Sequence, residues 1–404
     1  MNRQQRLGAL LILQILCIIL SGCWDRRELQ ERSIVLAVGI DLVESSQHQQ
    51  LVSKPAERLE TFVSPVSPRP FRLSIHLLSL TSGKKDSQPS GNTPQTYVLT
   101  STGLSFFEMV RDIASKNSHA LWFEHMQIII ISEEVLKEYP LAVVLDFFHR
   151  DSEFRWRTRL FTTPGEARTI LTKQFPTGEP GGLFLASVFR NSARNPHIPA
   201  SNVDLGSTIQ RLDNEADIVL PRLEMDGNDL KLKGMALFKQ DKLIAFADEY
   251  AIKGLKFILG LEKSALVSVQ CPDHPGHVGV FELFRHDTLY EPHVDGDSIY
   301  FTLSIAMRGN LGELSCANLH GPISKPEVIN HFTALITAEI QHNIEYSHDV
   351  CRQTGVDAMR FAGLLKAHKP DAWAKIKNNW NEVFPTIPIY TTVKVAISNI
   401  GEHN

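Results

Sequence analysis

Cysteine is scarce in this chain, five in 404 residues, and the five do not pair by spacing: Cys17 and Cys23 lie near the start, Cys271, Cys316 and Cys351 far downstream. An odd set at wide intervals excludes a disulfide-built fold and a zinc knuckle, and the three downstream thiols are expected to be buried or solitary. An excess of one charge is also wanting. Lys and Arg number 41 against 45 Asp and Glu, a formal net charge of -4, which offers no basic face for nucleic acid. No apolar run reaches the ~20 residues of a membrane span, and no internal repeat recurs at a fixed period. G-x-S-x-G, the Walker loop, G-x-G-x-x-G and C-x-x-C are all missing, so hydrolase, nucleotide and redox chemistry lack their local signatures. Neither a cofactor nor a catalytic residue is expected.

What is present begins at the first residue. MNRQQR supplies Arg3 and Arg6, residues 7–20 are apolar apart from Gln14, and the run stops at Trp24, Asp25, Arg26, Arg27 and Glu28. A positive start, a short apolar stretch and an abrupt polar flank are the layout of an export leader. Leu20, Ser21, Gly22 and Cys23 stand where an ordinary leader carries an A-x-A-like cleavage site. LSGC resembles the lipobox of bacterial lipoproteins. That resemblance implies diacylglycerol on the Cys23 sulfur, cleavage between Gly22 and Cys23, and loss of residues 1–22, Cys17 included. Each buried methylene of such an anchor contributes about 0.8 kcal/mol, and two or more chains hold a protein where one barely does. Arg3 and Arg6 keep the start cytoplasmic, so the remaining chain is exported.

Beyond the leader there is enough chain for two or three domains of about 100 to 200 residues, and 43% hydrophobic residues supply their cores. SIVLAVGID at 33–41 predicts a buried strand. Residues 45–70, with SPVSPRP, read as a mobile loop, 71–80 as a strand, SGKKDSQPSGNTPQ as a second loop and 96–100 as a strand. In STGLSFFEMVRDIASKN the spacing of Leu104, Phe107, Val110 and Ile113 predicts an amphipathic helix capped by Ser105. Residues 126–131 and 156–162 predict strands, with helices after Ser132, from Pro140 and after Pro164. That alternation predicts a mixed α/β domain over 23–195, closed by a helix at 183–192 and the linker NPHIPAS. Strand candidates at 218–224, 230–239 and 243–247 and a helix at 249–259 make a small middle α/β domain, 196–262. Residues 263–404 carry an antiparallel meander with turns at CPDHPGH, RHD and VDGD, the longest helical pattern (325–353), two shorter helices and a closing strand in IPIYTTVKVAIS. The fold class is mixed α/β, with α+β character, in three domains.

Histidine is the residue with most chemical promise, and there are 16. His274 and His277 stand with Cys271 and Asp273 in CPDHPGH, a set with ligand atoms for zinc. The spacing fits neither the four paired ligands of a structural site nor H-E-x-x-H, and Pro272, Pro275 and Gly276 make a hairpin turn of it. His119 and His125 flank LWFE at a strand edge. His342 and His348, six apart on the long helix, face different ways. No metal site is expected. Glu133 with Glu134, and Asp248 with Glu249, stand at helix starts, where the macrodipole favours them.

GCWDRRELQERSIVLAVGID, LWFEHMQIIIISEEV, VLDFFHRDSEFR, LKLKGMALFKQDKLIAF and FPTIPIYTTVKVAI occur in this order. The set resembles the C subunits of bacterial spore germinant receptors, the Ger(x)C lipoproteins, over nearly the whole chain after Cys23. The stretch between Ser45 and Thr96 departs from the pattern, being longer and richer in proline. The resemblance implies a three-domain lipoprotein on the outer face of the inner spore membrane, lipid-anchored at Cys23, working beside membrane-embedded A and B receptor subunits. The complex, rather than this chain, would sense a small nutrient. It carries over Cys23 alone as a functional residue and implies no catalytic group. Two other classes compete: a lipid-anchored solute-binding protein of a transporter, which would show two similar lobes around a cleft, and a lipid-anchored hydrolase using His274 and His277.

Cys23→Ala is expected to leave an unlipidated precursor and to weaken membrane retention. Fractionation with mass analysis of the N-terminus checks this, and a fully membrane-bound variant that had lost its leader would contradict the lipobox reading.

Overall fold

The computed structural model describes residues 32–44, 69–78, 96–175, 178–190, 203–227, 229–262, 265–271, 276–315 and 326–400. The leader, Cys23, His274, Cys316 and most of the two polar loops predicted before Thr96 lie outside them.

Four consecutive isoleucines, 128–131, explain how the first half is built. In β5 (Ile128–Ser132) Ile129 and Ile131 enter one core while Ile128 and Ile130 enter another, and all four are buried. A strand reads as an unbroken apolar run when both faces of its sheet are covered. Beside it lies β1 (Arg32–Leu42), paired antiparallel with β2 (Phe71–Leu78), which pairs with β3 (Thr96–Gly103). On its other side β1 runs parallel to short β4 (Ala120–Trp122) and then to β5. The parallel run continues to β6 (Arg159–Thr163) and, through the single register pair Thr162–Arg222, to β7 (Ile218–Asp226). An antiparallel meander of β7, β8 (Asp229–Lys239) and β9 (Lys242–Ala247) completes a nine-stranded sheet.

Helices cover both faces. One core takes side chains from α1 (Phe106–Ser115), α2 (Glu133–Glu138), α3 (Leu141–Arg150) and α6 (Leu205–Asp213), the other from α4 (Ala167–Thr172) and α5 (Gly181–Arg190). Asp41 of β1 is buried and accepts hydrogen bonds from the N–H groups of Ala167 (2.7 Å) and Arg168 (3.0 Å), which ties the strand to the start of α4.

The second sheet has four strands, β10 (Leu266–Gln270), β11 (Val278–Asp295), β12 (Ser298–Leu314) and β13 (Ile389–Ile400), the last parallel to β12 and the others antiparallel. Against it pack α7 (Glu249–Ile258), α8 (Pro326–Thr354) and α9 (Phe361–His368), followed by α10 (Pro370–Ile376) and α11 (Trp380–Val383). Of the apolar residues along the long helix, Phe332, Ile336, Ile340, Ile344 and Cys351 are buried in the core, and Val328 and Leu335 pack against it partly buried. Among the described residues no helix is long and apolar enough to cross a membrane.

Among the described residues, those of 196–262 have no core to themselves. In β8 the buried residues Met235 and Leu237 enter the core of the second sheet, while Ala236 and Phe238 enter that of the first. Helix α6 and strand β7 contribute to the first core and helix α7 to the second.

Several local expectations change. RHD at 285–287 is no turn: β11 runs straight through, and Phe284 is taken up as a bulge between Leu283 and Arg285. The buried face of α1 is Phe106, Met109 and Ile113, with Leu104 and Phe107 exposed, because a strict three-residue spacing drifts around a 3.6-residue helix. Ser105 does cap it, accepting from the Glu108 N–H at 3.3 Å. Pro140 is the cap before α3 rather than its first residue. Cys271 is disulfide-bonded, not a solitary thiol, and its partner lies outside the described residues. Cys351 is free and buried, as expected.

Helices α7 and α8 meet at Gly254, where a Cβ would lie 1.9 Å from the Asn343 carbonyl oxygen and 2.9 Å from the Ser347 Cβ. The Ser347 hydroxyl donates to the Ala251 carbonyl across the same contact. Gly254→Ala should therefore force the helices apart and cost at least about 1–3 kcal/mol, read as a lower urea midpoint. An unchanged midpoint would show that the contact is not tight.

Candidate functional site

Asp217 precedes β7 and is buried. Its carboxylate accepts from the Gln240 N–H and the Lys239 Nζ at 3.0 Å each and from the Asp357 N–H at 2.6 Å. Lys239 also donates to the Gly355 carbonyl at 2.7 Å, and Arg211 of α6 donates to the Asp217 carbonyl at 2.9 Å. One side chain thus pins the turn before β7, the β8–β9 turn and the loop between α8 and α9. Asp357, buried as well, accepts from the N–H groups of Phe361 and Ala362 at 2.8 Å each and so caps α9. Burial raises its carboxyl to about 6, against the lowering effect of those two bonds, and nearby Asp217 adds to the rise.

Around this knot opens a cleft of about 590 Å³, walled by α6, the β8–β9 turn, α9 and the segment carrying α10 and α11. Glu215, Gln240 and Arg360 all line it, and these are the three non-glycine residues with left-handed backbone among those described (φ 52°, 53° and 65°). Each such residue costs roughly 1–3 kcal/mol and persists only where its surroundings impose it.

The wall of the cleft is cationic. Arg211 and Arg360 are close enough that the charge of Arg360, after burial, helps lower Arg211 to about 10. Burial also lowers Arg360, which Asp357 partly offsets. The Arg360 Nε is buried with no hydrogen-bond partner, and among the described residues neither arginine forms an ion pair. Lys366 and Lys377 stand exposed at the rim, while Trp373 and Trp380, ring centroids 5.2 Å apart, give an aromatic side. Arg360 also borders a second cavity of about 780 Å³, whose wall includes Thr288 and Tyr290.

The residues weighed from the sequence lie elsewhere. Cys23 and His274 are outside the described residues. His277 donates through Nδ1 to the Ser315 carbonyl, His119 meets the Ser118 hydroxyl at 2.8 Å, His125 packs edge-on against Trp122, and His348 donates to the Ile387 carbonyl at 3.0 Å. Among the described residues no three His, Cys, Asp or Glu are grouped to hold a metal ion. Glu133, read as a helix-start charge, is buried and paired with Arg222 of β7. Sequence reasoning missed the cleft because its residues come from four separated segments. One signal was there: the Asp of DAMRFAGLL, just ahead of an apolar helical run, is a helix-start residue.

The chain matches known proteins along its length. Residues 25–225 match the family described as Spore germination protein N-terminal domain, and residues 233–401 the family described as Spore germination B3/GerAC like, C-terminal. Similar curated proteins of Bacillus subtilis (strain 168) include Spore germination protein YndF, 22% identical over 98% of both chains, and Spore germination protein B3, 21% identical over 96% of this chain and 97% of that one. Spore germination protein KC is 22% identical over 100% of this chain and 98% of its own. The crystal structure of the GerBC protein superposes on 89% of this chain and 97% of that one with TM-score 0.57 at 16% identity, which supports the fold.

The raised Asp357 carboxyl sets a sign for pH dependence. Between the usual value near 3.8 and about 6 the folded state holds this proton more firmly than the unfolded chain. The contribution is fully present below pH ~4 and declines as pH rises through 6, by about 3 kcal/mol. Wild type should therefore lose stability relative to Asp357→Asn between pH 4 and 7, measured by urea unfolding at both ends. A parallel trend in the two proteins would contradict the raised value.

Proposed function

The chain belongs to the GerAC-like family of spore germination proteins, and from that premise we propose that it serves germination as the lipid-anchored C subunit of a nutrient germinant receptor. The observation that carries this reading is the succession of the two family matches, which together run from residue 25 to residue 401. Cys23 is the attachment site in this proposal. Its support is the LSGC sequence, the short apolar run before it and a family match that begins two residues after it. A disulfide at Cys271 suits an exported domain, since such bonds persist in oxidising compartments.

In this role the chain works without catalysis on the outer face of the inner spore membrane, beside the membrane-embedded A and B subunits, and the complex answers to the nutrient. The solute-binding reading loses its ground: the end-to-end relatives are spore germination proteins, and a nine-stranded sheet beside a four-stranded one makes no pair of similar lobes. We retain units at 23–195, 196–262 and 263–404, the middle one bridging the cores of its neighbours. The single register pair joining β6 to β7 supports a boundary between the first two.

Cross-linked co-purification from dormant spore membranes should recover A-type and transporter-like B receptor subunits, identified by mass. Recovery of an ATP-driven permease, or of no membrane partner, would overturn the receptor reading.

A further inference from the structure

Arg360 holds a backbone conformation that glycine would adopt without strain, and it does so at the wall of the cleft, beside a second arginine. Of the three carboxylates that line the cleft, two are already engaged, and the third, Glu215, forms no ion pair with either arginine among the described residues. Asp217 is taken up by Lys239 and two backbone N–H groups, and Asp357 by the start of α9. Asp357 attracts both guanidinium groups and Asp217 attracts that of Arg211, but among the described residues neither arginine forms an ion pair, and the two repel each other at the wall of the cavity. Backbone strain of this kind collects where a ligand is held, and like charges brought together in a partly buried wall are stabilised by an anion placed between them.

We propose that the cleft binds a small organic anion, a carboxylate or phosphate on an apolar or aromatic body, with Arg211 and Arg360 taking the anionic head and Trp373 and Trp380 flanking the body. Guanidinium forks match either head group with paired hydrogen bonds. The cleft, at about 590 Å³, falls within the range of small-molecule sites. Lys366 and Lys377 at the rim draw the anion inward. The inference stands on the cleft itself and does not depend on the germination role.

The test is calorimetric titration of the full chain, purified in detergent, with phenylacetate, phenyl phosphate, inorganic phosphate and the uncharged 2-phenylethanol. Phenylacetate or phenyl phosphate should bind, and the tighter of the two identifies the head group. Inorganic phosphate should bind roughly tenfold more weakly and 2-phenylethanol not at all. Arg360→Gly and Arg211→Met should each weaken binding roughly tenfold or more. Arg360→Gly should also keep or raise the unfolding temperature, because glycine relaxes the left-handed backbone, so that lost binding is not lost folding. Lys366→Ala with Lys377→Ala, at the exposed rim, should weaken binding by a smaller factor in a fully folded protein. Absence of heat with both aromatic anions, or unchanged affinity in Arg360→Gly, overturns the proposal. Loss of binding in Arg360→Gly with none in Arg211→Met also overturns it, by moving the anion to the neighbouring cavity beside Thr288 and Tyr290.

Discussion

The molecule depends on four consecutive residues of one strand. Met235, Ala236, Leu237 and Phe238 are all buried, and they alternate between the core of the nine-stranded sheet and that of the four-stranded sheet. A strand has two faces and a period of two, so a single extended segment can belong to two cores at once. A register slip of one residue would exchange the two sets and misplace both. Neither half can therefore shift relative to the other without disturbing β8.

The cleft follows from that junction. Where two cores share a strand, the turns at its ends fall between the halves, and their backbone groups need partners away from water. Asp217 and Lys239 supply them, one before β7 and one at the end of β8, and reach across to the loop after α8. The three left-handed non-glycine residues border the same place. Chain segments from both halves meet there, so the strained positions and the cleft fall at the same junction.

Much of this architecture was legible in the residues. The two-residue alternation of β13 and the apolar stripe of α8 are direct consequences of burying one face, and both are where periodicity puts them. The apolar run over 126–131 predicted a strand, and the structure covers both of its faces. What failed was local punctuation and everything non-local. Arg285, His286 and Asp287 have turn-like chemistry, yet long-range pairing with β12 overrode it and left a bulge. Asp217, Arg211 and Arg360 carry no local signal, because nothing in a linear pattern tells that three loops converge on one carboxylate. The proposed role of Cys23 is of the opposite kind, since it rests on the immediate neighbours alone.

Strand β1 lies inside the first sheet, with β2 along one edge and β4 followed by β5 along the other. It is also the first described element, entered at Arg32. Any tension arriving along the chain from upstream therefore acts on a central strand, parallel to its axis. Its ladder hydrogen bonds on both sides are loaded together in shear instead of being unzipped one at a time from an edge. The fold thus receives such a load at a strand that is paired on both sides.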